Sequence, residues 1–108
     1  MRALGISILG SILILATVAL QAKDKSEDAR AGQKLFARHC AECHGETGQG
    51  TDRAPALQSY VKSSEPRMLV SFIKNGNLRA GMPSWSRLPD QQLSQIVAYL
   101  QSITEPRR

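Results

Sequence analysis

Cysteine and histidine are scarce in this chain, with two of each among 108 residues, and there is a single tryptophan. Two cysteines close at most one disulfide, so a framework stapled by several bridges is excluded. A structural zinc site needs four ligands, and here it would consume His39, Cys40, Cys43 and His44 together. Those four lie too close in sequence to wrap a tetrahedron comfortably. Aromatics make up 5% of the chain and are limited to Phe36, Tyr60, Phe72, Trp85 and Tyr99. So small a store of large apolar side chains gives a thin core, and domains of this size often rely on an added staple. No basic run occurs except Arg107 and Arg108, no run of like charge exceeds two residues, and no basic stripe is interleaved with aromatics. That removes the usual footprint of a nucleic-acid binder. There is no internal repeat and no convincing strand.

The one long uncharged run is residues 3–22, with Arg2 just ahead of it. A short basic start, an apolar stretch and small residues near its end form the layout of a secretory signal peptide. Ala22 and Ala19 are the candidate last residues of that signal, and Thr17 suits the position before Ala19 better than bulky Leu20 suits Ala22. The run also reaches the roughly 20 residues needed for an uncleaved membrane anchor. Gly5, Ser7, Gly10, Ser11 and Thr17 dilute its apolar character, which favours cleavage. No cysteine ends the run, so no lipoprotein signal is present. The expected organisation is a leader or anchor over 1–22 and one domain over 23–108. Either form exports the domain to the periplasm, with membrane contact only if the leader is retained. Of the 14 Lys and Arg all but Arg2 lie from Lys23 onward, as do all 9 Asp and Glu, so the domain is mildly positive. A balance of that kind suits an acidic docking face on a protein partner or an anionic membrane surface.

Three helices are legible. The first starts near Ser26 or Asp28, either of which can cap its amides. Gly32, Phe36 and Cys40 recur at four-residue spacing and share one face of it. A second helix starts around Ser63 or Ser64, with Pro66 in its first turn. Met68, Leu69, Phe72 and Ile73 form its apolar side, and Asn75-Gly76 stops it. The third starts at Pro89 beside Asp90. Leu93, Ile96, Val97 and Leu100 follow the i, i+3, i+4, i+7 pattern, Ile103 extends it and Pro106 ends it. The segments 45–56 and 77–88 are loops rich in glycine and proline. Loops this long are uncommon in a compact domain unless something organises them.

Cys40-Ala41-Glu42-Cys43-His44 is the segment that carries chemistry. Two cysteines separated by two residues at a helix end point to the same side about one turn apart. That matches two neighbouring vinyl groups of a haem, each able to form a thioether. The histidine that follows can present a nitrogen to the iron, and the pattern is a signature of c-type haem attachment. Thiol–disulfide exchange uses the same cysteine spacing, but at a helix start after a strand. A plain disulfide would close so small a ring that it restricts the unfolded chain little. Gly45 to Thr51 lacks the lysine of a phosphate loop.

Residues 28–103 resemble a class I cytochrome c, a match over nearly all of the expected domain. Gly32-Gln33-Lys34-Leu35-Phe36 looks like the family's first helix. The resemblance implies that Gly32 and Phe36 pack across Val97, Tyr99 and Leu100 of the last. Gly48-Gln49-Gly50-Thr51 and Ala54-Pro55-Ala56-Leu57 are similar to the loop after the haem motif. There Pro55 would offer its carbonyl to the second nitrogen of His44. Gly81-Met82-Pro83-Ser84-Trp85 resembles the loop of the second axial ligand, which makes Met82 that ligand and leaves Met68 as core packing on its helix. Trp85 would donate to a haem propionate or serve as a core tryptophan. Tyr60 and Arg53 would neighbour the haem edge, and His39 would be a surface or helix-end residue. The implied fold is all-α and cytochrome c-like, with three or more short helices and long loops around one covalent haem c. The implied function is transfer of single electrons between redox protein partners, with no enzymatic reaction. The alternatives are a haem c subunit of a larger dehydrogenase or oxidase complex, and a haem enzyme or gas binder with an open sixth position.

Overall fold

The computed structural model describes residues 25–104. The expected leader over 1–22 and the stop at Pro106 lie outside the described residues. Five α-helices order the described chain. Helix α1 covers residues 25–39 and α2 is Ala41–His44. After a loop come α3, Gln58–Ser63, and α4, Pro66–Asn75. A 3-10 turn, Leu78–Ala80, precedes α5, Asp90–Thr104. Among the described residues there is no strand, only an isolated antiparallel bridge between Asn77 and Met82.

Helix α5 is the spine of the domain. Leu93, Ile96, Val97, Tyr99 and Leu100 are all buried on it, and both α3 and α4 pack against it. Helix α1 crosses it where Gly32 meets the backbone of Gln95. A Cβ at Gly32 would lie 1.7 Å from the Gln95 carbonyl oxygen, so only hydrogen allows the approach. One turn further along, Phe36, 1% exposed, packs against Tyr99 with the rings tilted and their centroids 5.5 Å apart. The expected pairing of the first and last helices is therefore present, centred on Gln95, Ile96 and Tyr99.

Helix α4 begins as its proline dictates. Glu65 is extended, and its carbonyl takes the amides of Met68 and Leu69 at 3.0 and 3.1 Å. Pro66 is the first helical residue, so the start lies slightly later than Ser63 or Ser64. Lys74, in the last turn of α4, meets Asp90, in the first turn of α5, at 3.0 Å. Each charge opposes the dipole of its own helix end.

Two expectations need correction. Residues 58–63 form a helix where none is legible, since Val61 is its only buried residue. The apolar side of α4 divides: Leu69 and Ile73 enter the core, while Met68 and Phe72 are 62% and 53% exposed. Met68 is thus not core packing but an exposed side chain of α4.

Candidate functional site

The cysteine-histidine motif continues the line of α1 through a break at Cys40. The Cys40 amide still donates to Phe36 O at 2.8 Å, which ends the α1 ladder. Cys40 then opens α2, accepting from the His44 amide at 3.0 Å. Cys40 is half-buried against the core and Cys43 is exposed, and both thiols are free. Burial, aided by neighbouring Cys43, pushes the Cys40 thiol up to about 11. A dithiol exchange centre needs its attacking thiol lowered, not raised. Among the described residues no cluster of three or more His, Cys, Asp or Glu side chains is arranged to hold a metal ion.

The ring of His44 is oriented by the loop that follows. Its Nδ1 donates to the Pro55 carbonyl at 3.0 Å, since a carbonyl can only accept. The proton is therefore on Nδ1, and Nε2 is the nitrogen with a free lone pair. This is the arrangement in which a histidine serves as a metal ligand through one nitrogen and is steered through the other. The loop is fastened in turn. The Gly50 amide donates to His44 O at 2.7 Å, the Leu57 amide to Gly48 O at 2.8 Å, and the Tyr99 hydroxyl to Glu46 O at 3.0 Å. The last of these joins the loop directly to α5.

Met82 is carried by a separate, closed turn. Asn77 and Met82 exchange both backbone hydrogen bonds at 2.9 Å around the 3-10 turn, and Gly81 takes a left-handed φ of 87°. The stretch after Met82 folds back onto the end of α4. The Ser84 hydroxyl donates to Lys74 O at 2.8 Å, and the Trp85 amide lies 3.2 Å from the same oxygen. Gly76 permits this, because a Cβ there would lie 2.6 Å from the Pro83 carbonyl carbon and oxygen. Met82 is half-buried and, like Cys40, borders the one buried core cluster.

Trp85 is buried in that cluster at 9% exposure. His39 packs on it at 5.0 Å between centroids, and the Arg87 guanidinium lies 4.7 Å from its ring. Burial lowers the His39 pKa, and Arg38 and Arg87 lower it further. Trp85 therefore serves as core on the geometry present, and His39 sits at a helix end as expected. Arg53 bonds Glu42 at 3.1 Å across the loop, and Tyr60 is exposed. Reasoning from sequence missed Thr51, whose hydroxyl donates to Cys43 O, and Asn77, which closes the Met82 turn. Thr51 stands in the loop that resembles the family's but without a role of its own, and Asn77 carries no periodic or motif signal.

The donor set fits a covalently attached haem. Two free thiols sit one turn apart, and a histidine with its distal nitrogen free follows them. Tyr60, Met68, Phe72 and Leu78 are all more than half exposed, which is much bare apolar surface for so small a domain.

Residues 27–100 match the family described as cytochrome c oxidase, cbb3-type, subunit III. The chain is 37% identical over 82 residues to the cbb3-type cytochrome c oxidase subunit FixP of Bradyrhizobium sp. (strain ORS 278), covering 70% of this chain and 28% of that protein. It is 36% identical over 88 residues to the subunit CcoP of Rhodobacter capsulatus, covering 69% of this chain and 29% of that protein. A cytochrome c6 of Leptolyngbya boryana is 30% identical over 78 residues and is matched over 89% of its own length. The crystal structure of cytochrome cL from Methylophaga aminisulfidivorans superimposes with a TM-score of 0.61 at 30% identity, over 70% of this chain and 53% of that one. The chain thus spans about a third or less of the length of the cbb3 subunits it matches and most of the cytochrome c6. Its helices, its motif and these likenesses agree: the chain belongs to the cbb3-type subunit III family of cytochrome c domains, has the class I cytochrome c fold, and takes a covalent haem c.

Proposed function

We propose that this chain carries single electrons on one haem c, attached through Cys40 and Cys43, with His44 and Met82 as the two axial ligands of the iron. The observation that supports this most is the bond from His44 Nδ1 to Pro55 O at 3.0 Å, next to two free thiols. When bound, the haem supplies a one-electron couple at its iron. The chain's own residues do the rest. Pro55 fixes the His44 ring and raises its donor strength. The Asn77–Met82 turn presents a neutral thioether, which favours the reduced state and raises the potential. Phe36, Trp85, Ile96 and Leu100 exclude water from one side of the site and lower the local dielectric. With both thiols bonded to the haem and His44 and Met82 on its iron, these residues hold one redox group, and the reading is an electron carrier.

A carrier must bind partners briefly, and docking through a small, charge-guided surface meets that need. The scattered positive charge suits an acidic redox partner. The apolar run 3–22 supports export to the periplasm, either free or tethered to the outer face of the cytoplasmic membrane. Among the described residues no helix is long and apolar enough to cross a membrane.

The likeness to cbb3 oxidase subunits favours a second reading, in which the domain works as a haem c component of a larger oxidase complex. Two measurements separate the possibilities. Carbon monoxide should leave the spectrum of the reduced protein nearly unchanged; a large change would mean that Met82 does not hold the sixth position. Gentle extraction from the native host should yield a free small protein. Co-purification with oxidase subunits would favour the second reading.

A further inference from the structure

The carbonyls at the end of a helix have no donors within it. At the end of α2 these carbonyls belong to the haem motif, and the next loop answers them. The Gly50 amide takes His44 O at 2.7 Å, and the Thr51 hydroxyl takes Cys43 O. The same hydroxyl oxygen accepts the Arg53 amide at 3.1 Å, while the Thr51 amide donates to Ala54 O at 2.9 Å. Thr51 therefore holds α2 with one bond and the turn 51–54 with two. Pro55 follows that turn directly, with its carbonyl on His44. The Arg53–Glu42 pair spans the same gap, but its side chains are 61% and 86% exposed, so solvent weakens it.

We propose that Thr51 is a positioning residue for the His44 imidazole: its hydroxyl locks the loop to α2 and so keeps the Pro55 carbonyl on Nδ1. The proposal rests on the reading of His44 as the iron ligand. A hydrogen bond at Nδ1 increases the donor strength of Nε2 and fixes the ring plane. Without the hydroxyl, the turn loses a donor to Cys43 and an acceptor for Arg53 together. Pro55 then samples a wider range of positions, the Nδ1 bond weakens on average, and His44 becomes a poorer donor with a looser plane. A poorer donor disfavours the oxidised iron, so the potential rises.

The test uses haem-loaded protein made in a host that attaches haem. Thr51→Val keeps the branched shape and removes both hydroxyl bonds, and Thr51→Ser restores them. Three quantities are read: the reduction potential, the spread of the paramagnetically shifted haem-methyl proton resonances in the oxidised protein, and exchange of the Gly50 amide. Thr51→Val is expected to raise the potential, alter the methyl spread and speed Gly50 exchange roughly tenfold or more, as loss of a local hydrogen-bonded latch implies. Thr51→Ser should return all three toward the parent. If the valine variant yields too little protein, Thr51→Ala removes the same bonds without the extra methyl. An unchanged potential and methyl spread in a folded variant lacking the hydroxyl overturns the proposal. A parent protein that lacks haem, or whose iron is not bound by His44, overturns the underlying reading instead.

Discussion

Of the described glycines, Gly32 leaves the least room for a Cβ, and Gly32→Ala tests how much rests on its contact with the Gln95 backbone. The added Cβ would start 1.7 Å from Gln95 O, 2.4 Å from its carbonyl carbon and 3.0 Å from the Ile96 amide nitrogen. These are backbone atoms and cannot rotate aside. An ordinary separation is about 3.5 Å or more, so the helix axes must part by roughly 1.8 Å. Overpacking of this kind costs about 3 kcal/mol, the upper end of its usual range. Alanine returns about 1 kcal/mol through its better helix propensity. The net loss is about 2 kcal/mol, which lowers Tm by roughly 8–16 °C in a domain of this size. Parting α1 from α5 also loosens Phe36 on Tyr99, and with it the Tyr99 hydroxyl bond to Glu46 in the loop beside His44. Thermal unfolding of the haem-loaded protein, followed by far-ultraviolet circular dichroism, measures the effect. Gln33→Ala, exposed on the same helix, is the control and should change stability by less than about 0.5 kcal/mol. A Gly32→Ala protein as stable as the parent would refute the close crossing, since only the propensity gain would then remain.

Other perturbations probe separate parts of the account. Met82→Ala should open one axial position, so carbon monoxide should then produce a large change in the reduced optical spectrum. Phe36→Ala empties a site that is 1% exposed and should cost about 3–5 kcal/mol in denaturant unfolding. Burial holds the folded-state pKa of His39 below 6.5, and Arg38 and Arg87 add to this. Its contribution to stability is therefore full above pH 6.5 and is lost as pH falls toward the lowered value. His39→Gln should flatten that part of the stability–pH curve.

The long helices were legible because their burial is periodic. Leu93, Ile96, Val97 and Leu100 read as one stripe and form one in space. Asn75-Gly76 marked the end of α4 through backbone chemistry that depends little on context, while its start fell at Pro66, two or three residues after the expected Ser63 or Ser64. Helix α3 was not legible, because Gln58–Ser63 buries only Val61 and shows no stripe. Met68 and Phe72 misled for a different reason. Periodicity identifies an apolar face but not what covers it, and of these four residues only Leu69 and Ile73 are buried. At the site, Cys40, Cys43 and His44 declared themselves by spacing, and Pro55 by resemblance. Thr51 and Asn77 act through hydrogen bonds that tie a loop to a helix end or close a turn, and such bonds leave no periodic pattern along the chain.

The central claim is a covalent bond from each cysteine sulfur to one haem, and intact mass under denaturing conditions tests it most directly. The unfolded chain should retain one haem per molecule, and Cys40→Ala combined with Cys43→Ala should release it. A purified parent chain with the mass of the polypeptide alone, produced where haem attachment operates, would contradict the account.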